Sequence, residues 1–269
     1  MTSSHPRPHP SHTTRAHSTR AHSFNTAAAQ YAANRPSYPP TLFDTIESLA
    51  PRPLPGSRTI DVGAGTGIST TLLHTRGAHV LAVEPGAGMA AQFRRTHPHL
   101  PLVRGDGNAL PVATASTDLL TYAQSWHWTD PTRSVPEALR VLRPGGALAL
   151  WWNTDAVDVP WIADATTRIH HFLGVDPDIP IEKSGSGAAA ALTDTAGRLD
   201  FTRRQIRWSR EVPLDTHLAN IASHSAFLVL GEEATAEFFT EERAHLRKLF
   251  PTETIEEIYD VDLLLAIRP

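Results

Sequence analysis

The chain of 269 residues contains no cysteine, which excludes disulfide scaffolds, thiolate metal sites and cysteine nucleophiles together. Long apolar runs are missing too. Ala147 to Trp152 and Leu263 to Ile267 fall far short of the roughly 18 residues that span a bilayer, so no transmembrane segment is expected. Nor is there an excess of one charge. With 24 Lys and Arg against 28 Asp and Glu, the net charge of −4 supplies neither the basic face that nucleic acid requires nor a polybasic membrane anchor. The basic residues near the N-terminus are not followed by an apolar stretch, so no secretory signal is read there and a cytoplasmic location is expected. What is present, 41% hydrophobic and 19% charged residues of both signs, describes a folded globular chain whose length suits one large α/β domain.

Residues 1–23 form a biased tail in which His5, His9, His12, His17 and His22 stand among Pro, Ser, Thr and Arg, with nothing to bury a core. Their irregular spacing and lack of acidic partners argue against a metal site, and none is expected elsewhere. The domain is read as residues 24–269. Leu42, Phe43, Ile46 and Leu49 recur at helical spacing before the prolines at 51, 53 and 55. Short apolar runs then alternate with helical stretches, the signature of a parallel sheet with crossover helices.

The expected strands are 58–62, 78–84, 102–104, 117–122 and 147–152, with helices at 67–75, 88–96 and 131–142 and a turn at Arg143-Pro144-Gly145-Gly146. The regular alternation stops near Asn153. A helix at 160–172 and a Pro-rich, Gly/Ala-rich stretch through 185–191 read as an insertion over about 153–200, of the kind that forms lids. A strand at 201–212, helices at 214–230 and 233–250, and a final apolar run at 256–268 complete the pattern.

Between the first strand and its helix lies Asp61-Val62-Gly63-Ala64-Gly65-Thr66-Gly67. Glycine is needed where backbone approaches a ligand closely or takes positive φ, and the following helix offers unpaired amides to a polar group. A nucleotide-like ligand is the functional reading; a plain turn is the alternative. Glu84 ends the second strand, where a carboxylate can accept both hydrogen bonds of a ribose diol. Asp106 and Gly107 follow the third strand, and an Asx turn is the bland account of that aspartate.

These motifs, together with Leu142-Arg143-Pro144-Gly145-Gly146, resemble those of the Rossmann-like, class I S-adenosylmethionine-dependent methyltransferases of the small-molecule type. The resemblance runs from about Phe24 to the C-terminus and is most specific from Asp61 to Gly146. It implies a doubly wound, mostly parallel seven-stranded sheet with the last strand antiparallel, plus the helical lid insertion. It also implies S-adenosyl-L-methionine as the cofactor, with Asp61, Gly63, Ala64, Gly65 and Gly67 near its amino-acid part, Glu84 at the ribose, Asp106 and Gly107 at the adenine, and Gln124 beside them. The acceptor it implies is a small molecule, with secondary metabolism as the expected setting.

The loop after the fourth strand, Ala123-Gln124-Ser125-Trp126-His127-Trp128, lies on the strand edge where ligands bind in open α/β sheets. It resembles the His-Trp segment that lies beside the sulfonium in that group. His127 has two readings, a general base or a residue packed between its tryptophans. Trp126 and Trp128 offer aromatic faces to a cation or pack in the core. Tyr31 and Arg35 belong to a lead-in resembling the segment that folds over the cofactor, and Trp151, Trp152 and Asn153 are expected at the substrate side.

Two other classes compete. A nicotinamide-dependent oxidoreductase shares the glycines and the acid, but residue 68 is Ile where a dinucleotide loop has Gly, and neither Lys183 nor Lys248 follows a Tyr by four positions. A non-catalytic regulator on the same fold would bind nucleotide without turnover.

Overall fold

The structure, a computed structural model, describes residues 28–175 and 198–269, the side chains of residues 29–31 excepted. The His-rich tail and the Gly/Ala-rich run at 185–191 therefore lie outside the described residues. Helix α1 (Ala28–Asn34), which the sequence reading left without structure, and α2 (Pro40–Leu49) precede the sheet. Leu42, Phe43 and Ile46 of α2 are buried, as their helical spacing requires, and Pro40 opens the helix where its missing N–H costs nothing.

The sheet then builds in the expected alternation. It runs β1 (Arg58–Val62), α3 (Ile68–Thr75), β2 (His79–Val83), α4 (Ala87–Thr96), β3 (Leu102–Val103), β4 (Thr117–Ala123), α5 (Pro131–Val141) and β5 (Leu142–Asp155). After α6 (Pro160–Leu173) come β6 (Phe201–Pro213), α7 (Leu214–Ala222), α8 (Ser225–Leu230), α9 (Glu232–Leu249) and β7 (Thr254–Ile267). The strand order is β3-β2-β1-β4-β5-β7-β6. Strands β1 to β5 pair in parallel, while β7 pairs antiparallel with both β5 and β6, so six strands point one way and β7 the other. Both faces are covered. Ile60, Leu120, Leu148, Leu150 and Trp152 build one core layer, and Leu119, Ala147, Ala149, Trp151 and Leu263 build the other.

Three expectations need correction. The helix expected at 214–230 is two helices, because Ser223 bonds its side chain back to the Asn220 carbonyl at 2.6 Å and His224 is extended, which ends α7 and restarts the chain as α8. The fifth strand does not stop at Trp152 but continues to Asp155, paired with Tyr259. The Arg143–Gly146 turn is a bulge within β5: the register with β4 slips between Thr117 and Leu119, Gly145 takes φ +73°, and Gly145 and Gly146 bond to the Arg268 backbone. Among the described residues no helix is long and apolar enough to cross a membrane.

The direction of winding reverses between β1 and β4, so the helices that follow them lie on opposite faces and leave a crevice at the strand ends. Parts of the glycine loop, Glu84, Asp106 and the loop after β4 meet there.

Candidate active site

The loop after β1 folds by glycine. Gly63, Gly65 and Gly67 have φ of +67°, +58° and +101°, values at which a side chain is strained. At Gly63 space is also lacking: a Cβ would stand 2.5 Å from the Ser125 Cβ, because the β1 and β4 loops meet at the crevice. Ser125 is fixed in turn by donating to the Val62 carbonyl. Gly67 lies against Phe93 and His97, so its role is to pack α3 on α4.

Glu84 sits 6% exposed at the end of β2 and ties the loops together. Its Oε2 accepts from the Gly65 amide at 2.9 Å and its Oε1 from the Gly86 amide at 2.6 Å. Burial raises its pKa, although these two amides and the Arg104 charge pull the other way. A carboxylate has about four lone-pair positions, so each oxygen retains one for a ligand hydroxyl. Asp106 makes the Asx turn, Oδ1 accepting from the Asn108 backbone amide and from Asn108 Nδ2, each at 2.9 Å. Gly107 lies under Thr129, Val62 and Tyr122, whose hydroxyl donates to the Gly107 carbonyl at 3.2 Å. Gln124 has φ +57° and anchors its amide on the Trp151 carbonyl.

These residues face a cavity of about 1200 Å³. Of the expected cofactor residues, Gly63, Gly65, Glu84, Asp106, Gly107 and Gln124 line it; Asp61, Ala64 and Gly67 do not. Asp61 is fully buried behind the loop, accepting from Thr70 Oγ1 at 2.6 Å and Thr121 Oγ1 at 2.9 Å. Burial pushes its pKa up to about 6, against those hydroxyls. It shapes the glycine loop from beneath. Ala64 packs toward Ala82, Phe93 and Leu100.

On the substrate side Arg35, His127 and Trp128 line the cavity, whereas Trp126 and Trp152 do not. The short 3₁₀ turn Trp126–Trp128 sends Trp126 back onto Tyr122, with ring centroids 4.7 Å apart at 90°. Trp152 is in the core because β5 runs three residues beyond it, and Trp151 packs edge-on against Tyr38 on the opposite face. Of that trio Asn153 alone reaches the cavity. The Tyr31 side chain lies outside the described residues.

Trp152 still acts on the site. Its indole N–H donates to His127 Nδ1 at 3.3 Å, and since an indole can only donate, Nδ1 is the acceptor and the imidazole proton of the neutral ring sits on Nε2. That bond occupies the Nδ1 lone pair.

The sequence reading missed the cavity's other wall, beyond the ends of β5 and β7 and along α7. Asp155, His217, Asn220, His224, Glu257 and Tyr259 line it. The legible signal was on α7, where His217 and Asn220 interrupt the apolar face of Leu214, Leu218 and Ile221. Cross-strand pairs hold this wall: Arg207 bridges Asp158 and Asp260, and Arg210 Nε meets Glu257 Oε2 at 2.6 Å. Among the described residues no group of three or more His, Asp or Glu is placed to hold a metal ion.

Comparison with known proteins agrees with this geometry. A family described as "Methyltransferase domain" matches residues 60–150, which carry the glycine loop, Glu84, Asp106 and the β4 loop. An uncharacterized methyltransferase of Mycobacterium tuberculosis is 42% identical over 155 residues, 58% of this chain and 60% of that protein. A demethylmenaquinone methyltransferase of Beutenbergia cavernae is 37% identical over 107 residues, 39% of this chain and 44% of that one. The matches thus span well under two thirds of these relatives' lengths. A type II methyltransferase candidate from Anaeromyxobacter dehalogenans shares the fold, with a TM-score of 0.61 over 87% of this chain and 96% of that one at 24% identity. Residues 60–150 thus match a methyltransferase domain, and they lie on a seven-stranded sheet whose fold the Anaeromyxobacter dehalogenans protein shares.

Proposed function

We propose that this chain transfers a methyl group from S-adenosyl-L-methionine to a small-molecule acceptor bound in the same cavity. The observation that carries the reading is the cradle at the switch point: a buried Glu84 tied to the Gly65 and Gly86 amides, facing a cavity shared with Asp106 and Gly107. A nucleoside with a ribose diol fits these donors and acceptors. Glu84 accepts the two hydroxyls, Asp106 accepts from the base's amino group, and the Gly63–Gly65 backbone leaves room for the remaining chain.

When bound, S-adenosyl-L-methionine supplies an electrophilic methyl on a cationic sulfur. The chain's own residues supply position and dryness, which carry much of the rate in an in-line displacement. Trp128 and the ring of His127, 4.7 Å apart, offer π faces toward the cavity. Gln124, held at φ +57°, fixes the loop between the two halves. A cavity of about 1200 Å³ exceeds the ~300–1000 Å³ of a usual single-ligand pocket, which suits two ligands at once. Apolar walls from Trp161, Ile162, Ile169 and Phe227 suit an acceptor with an apolar body rather than a polymer.

The test is calorimetric titration of the wild type and Glu84→Ala with S-adenosylhomocysteine. Wild-type binding weakened at least about tenfold, the worth of about 1.4 kcal/mol, is the expected result. Equal affinity in the two proteins removes Glu84 from the ribose and the reading with it.

A further inference from the structure

The polar wall beyond β5 has unmet hydrogen-bonding capacity. His217 and Asn220, 8% and 5% exposed, stand three residues apart on one face of α7. His217 Nδ1 lies 2.7 Å from Glu257 Oε1. Burial disfavours ionisation of Glu257, but the hydrogen bond and charge of His217 and the charge of Arg210 outweigh it and bring its pKa down to about 2. An ionised carboxylate only accepts, so His217 Nδ1 is the donor in this bond. Among the described residues His217 Nε2 has no hydrogen-bond partner, and neither has Asn220 Oδ1, whose amide nitrogen donates to Tyr259 Oη at 3.0 Å. Asn220 Oδ1 can only accept, both side chains line the cavity, and a buried polar atom left unsatisfied is costly unless a ligand meets it.

We infer that this wall is the docking site for the acceptor's polar group, and that it selects a neutral group bearing hydroxyls, which donate to Asn220 Oδ1 and, able both to donate and to accept, satisfy His217 Nε2. The assignment rests on the methyltransferase reading only in calling the ligand the acceptor; the site itself stands on the orphaned atoms. The fields here are mixed in sign. Arg35, Arg210 and His217 act alongside Asp155 and Glu257, and the charges of Arg35 and His217 are both felt at Asp155 and His224. His224 adds none, since burial and then Arg35 push its pKa down to about 3. An ammonium would meet the fields of Arg35 and His217, and a carboxylate would face Asn220 Oδ1 with no proton to give.

The test uses benzene-1,3-diol as the probe, with benzylamine, benzoate and toluene as size-matched controls, followed by saturation-transfer NMR on the full chain. The diol is expected to bind more tightly than all three controls. Asn220→Leu and His217→Phe are each expected to weaken it about tenfold, one lost hydrogen bond's worth, while S-adenosylhomocysteine affinity stays at the wild-type value. Tighter binding of benzylamine or benzoate, no preference over toluene, or diol binding untouched by Asn220→Leu overturns the inference. If His217→Phe does not fold, Asn220→Leu decides alone. Failure of wild-type protein to bind S-adenosylhomocysteine sinks the methyltransferase reading without touching the diol result, so the two failures are distinct.

Discussion

Replacing Gly63 by Ala separates the two demands the crevice places on its first glycine. At φ +67° an alanine costs about 1–2 kcal/mol for its left-handed backbone. Its Cβ would also stand 2.5 Å from Ser125 Cβ, an overlap that the buried, hydrogen-bonded serine cannot relieve cheaply; overpacking of this kind costs about 1–3 kcal/mol. Gly65→Ala meets only the first demand, since at φ +58° its nearest neighbour is the Gly63 carbonyl at 4.0 Å. The expected losses are therefore about 2–5 kcal/mol for Gly63→Ala and about 1–2 for Gly65→Ala. At roughly 2–4 °C per kcal/mol for a chain of this size, Gly63→Ala melts at least about 2 °C below Gly65→Ala in a calorimetric scan. Adding Ser125→Gly to Gly63→Ala removes the overlap, so a double-mutant cycle returns about 1–3 kcal/mol of coupling, the overpacking share of the loss. Equal melting of the two alanine variants, or a cycle with no coupling, refutes the claim that the β1 and β4 loops are packed against each other here.

Asp61 gives the chain a pH signature. Its folded pKa of about 6 lies above the ordinary 3.8, so the native state keeps a proton that the unfolded chain releases. The stability this group contributes is complete below about pH 3.8, declines as pH rises to about 6, and is then constant; the gap corresponds to about 3 kcal/mol. Urea melts at pH 4 and pH 7 should show Asp61→Asn gaining up to about that much on the wild type, and parallel pH curves would contradict it. Elsewhere, Arg168 grips Glu242 through bonds of 2.6 and 2.7 Å while the Glu242 side chain is 1% exposed. Arg168→Met should cost about 3–5 kcal/mol in a denaturant melt by stranding that charge, and Glu242→Leu in the same chain should recover most of it; no recovery would mean the arginine serves packing alone.

The sheet from β1 to β5 was legible because each step is punctuated by glycine or proline and each strand is a short apolar run. The glycine loop, Glu84 and Asp106 were legible because they lie within a few residues of strand ends. What failed was side-chain direction. Trp126 and Trp152 sit in loop-like or strand-end sequence, yet a 3₁₀ turn and a three-residue extension of β5 swing both into the core. The family resemblance makes Asp61 a ligand contact, and it lies one layer deeper. The polar wall joins residues 155, 217, 220 and 257, which only tertiary pairing of β7 with β5 and β6 brings together, so no local window could display it. Ser223 and His224, the point where α7 breaks from α8, carry no glycine or proline to announce it.

The central claim is that the switch-point crevice binds the sulfur nucleoside of a methyl donor. Titrating the purified chain with S-adenosyl-L-methionine, and separately with oxidised and reduced nicotinamide dinucleotides, tests it most directly. Saturable heat with the sulfur nucleoside and none with the dinucleotides is the predicted result; binding of a dinucleotide alone would contradict the account and make the chain an oxidoreductase.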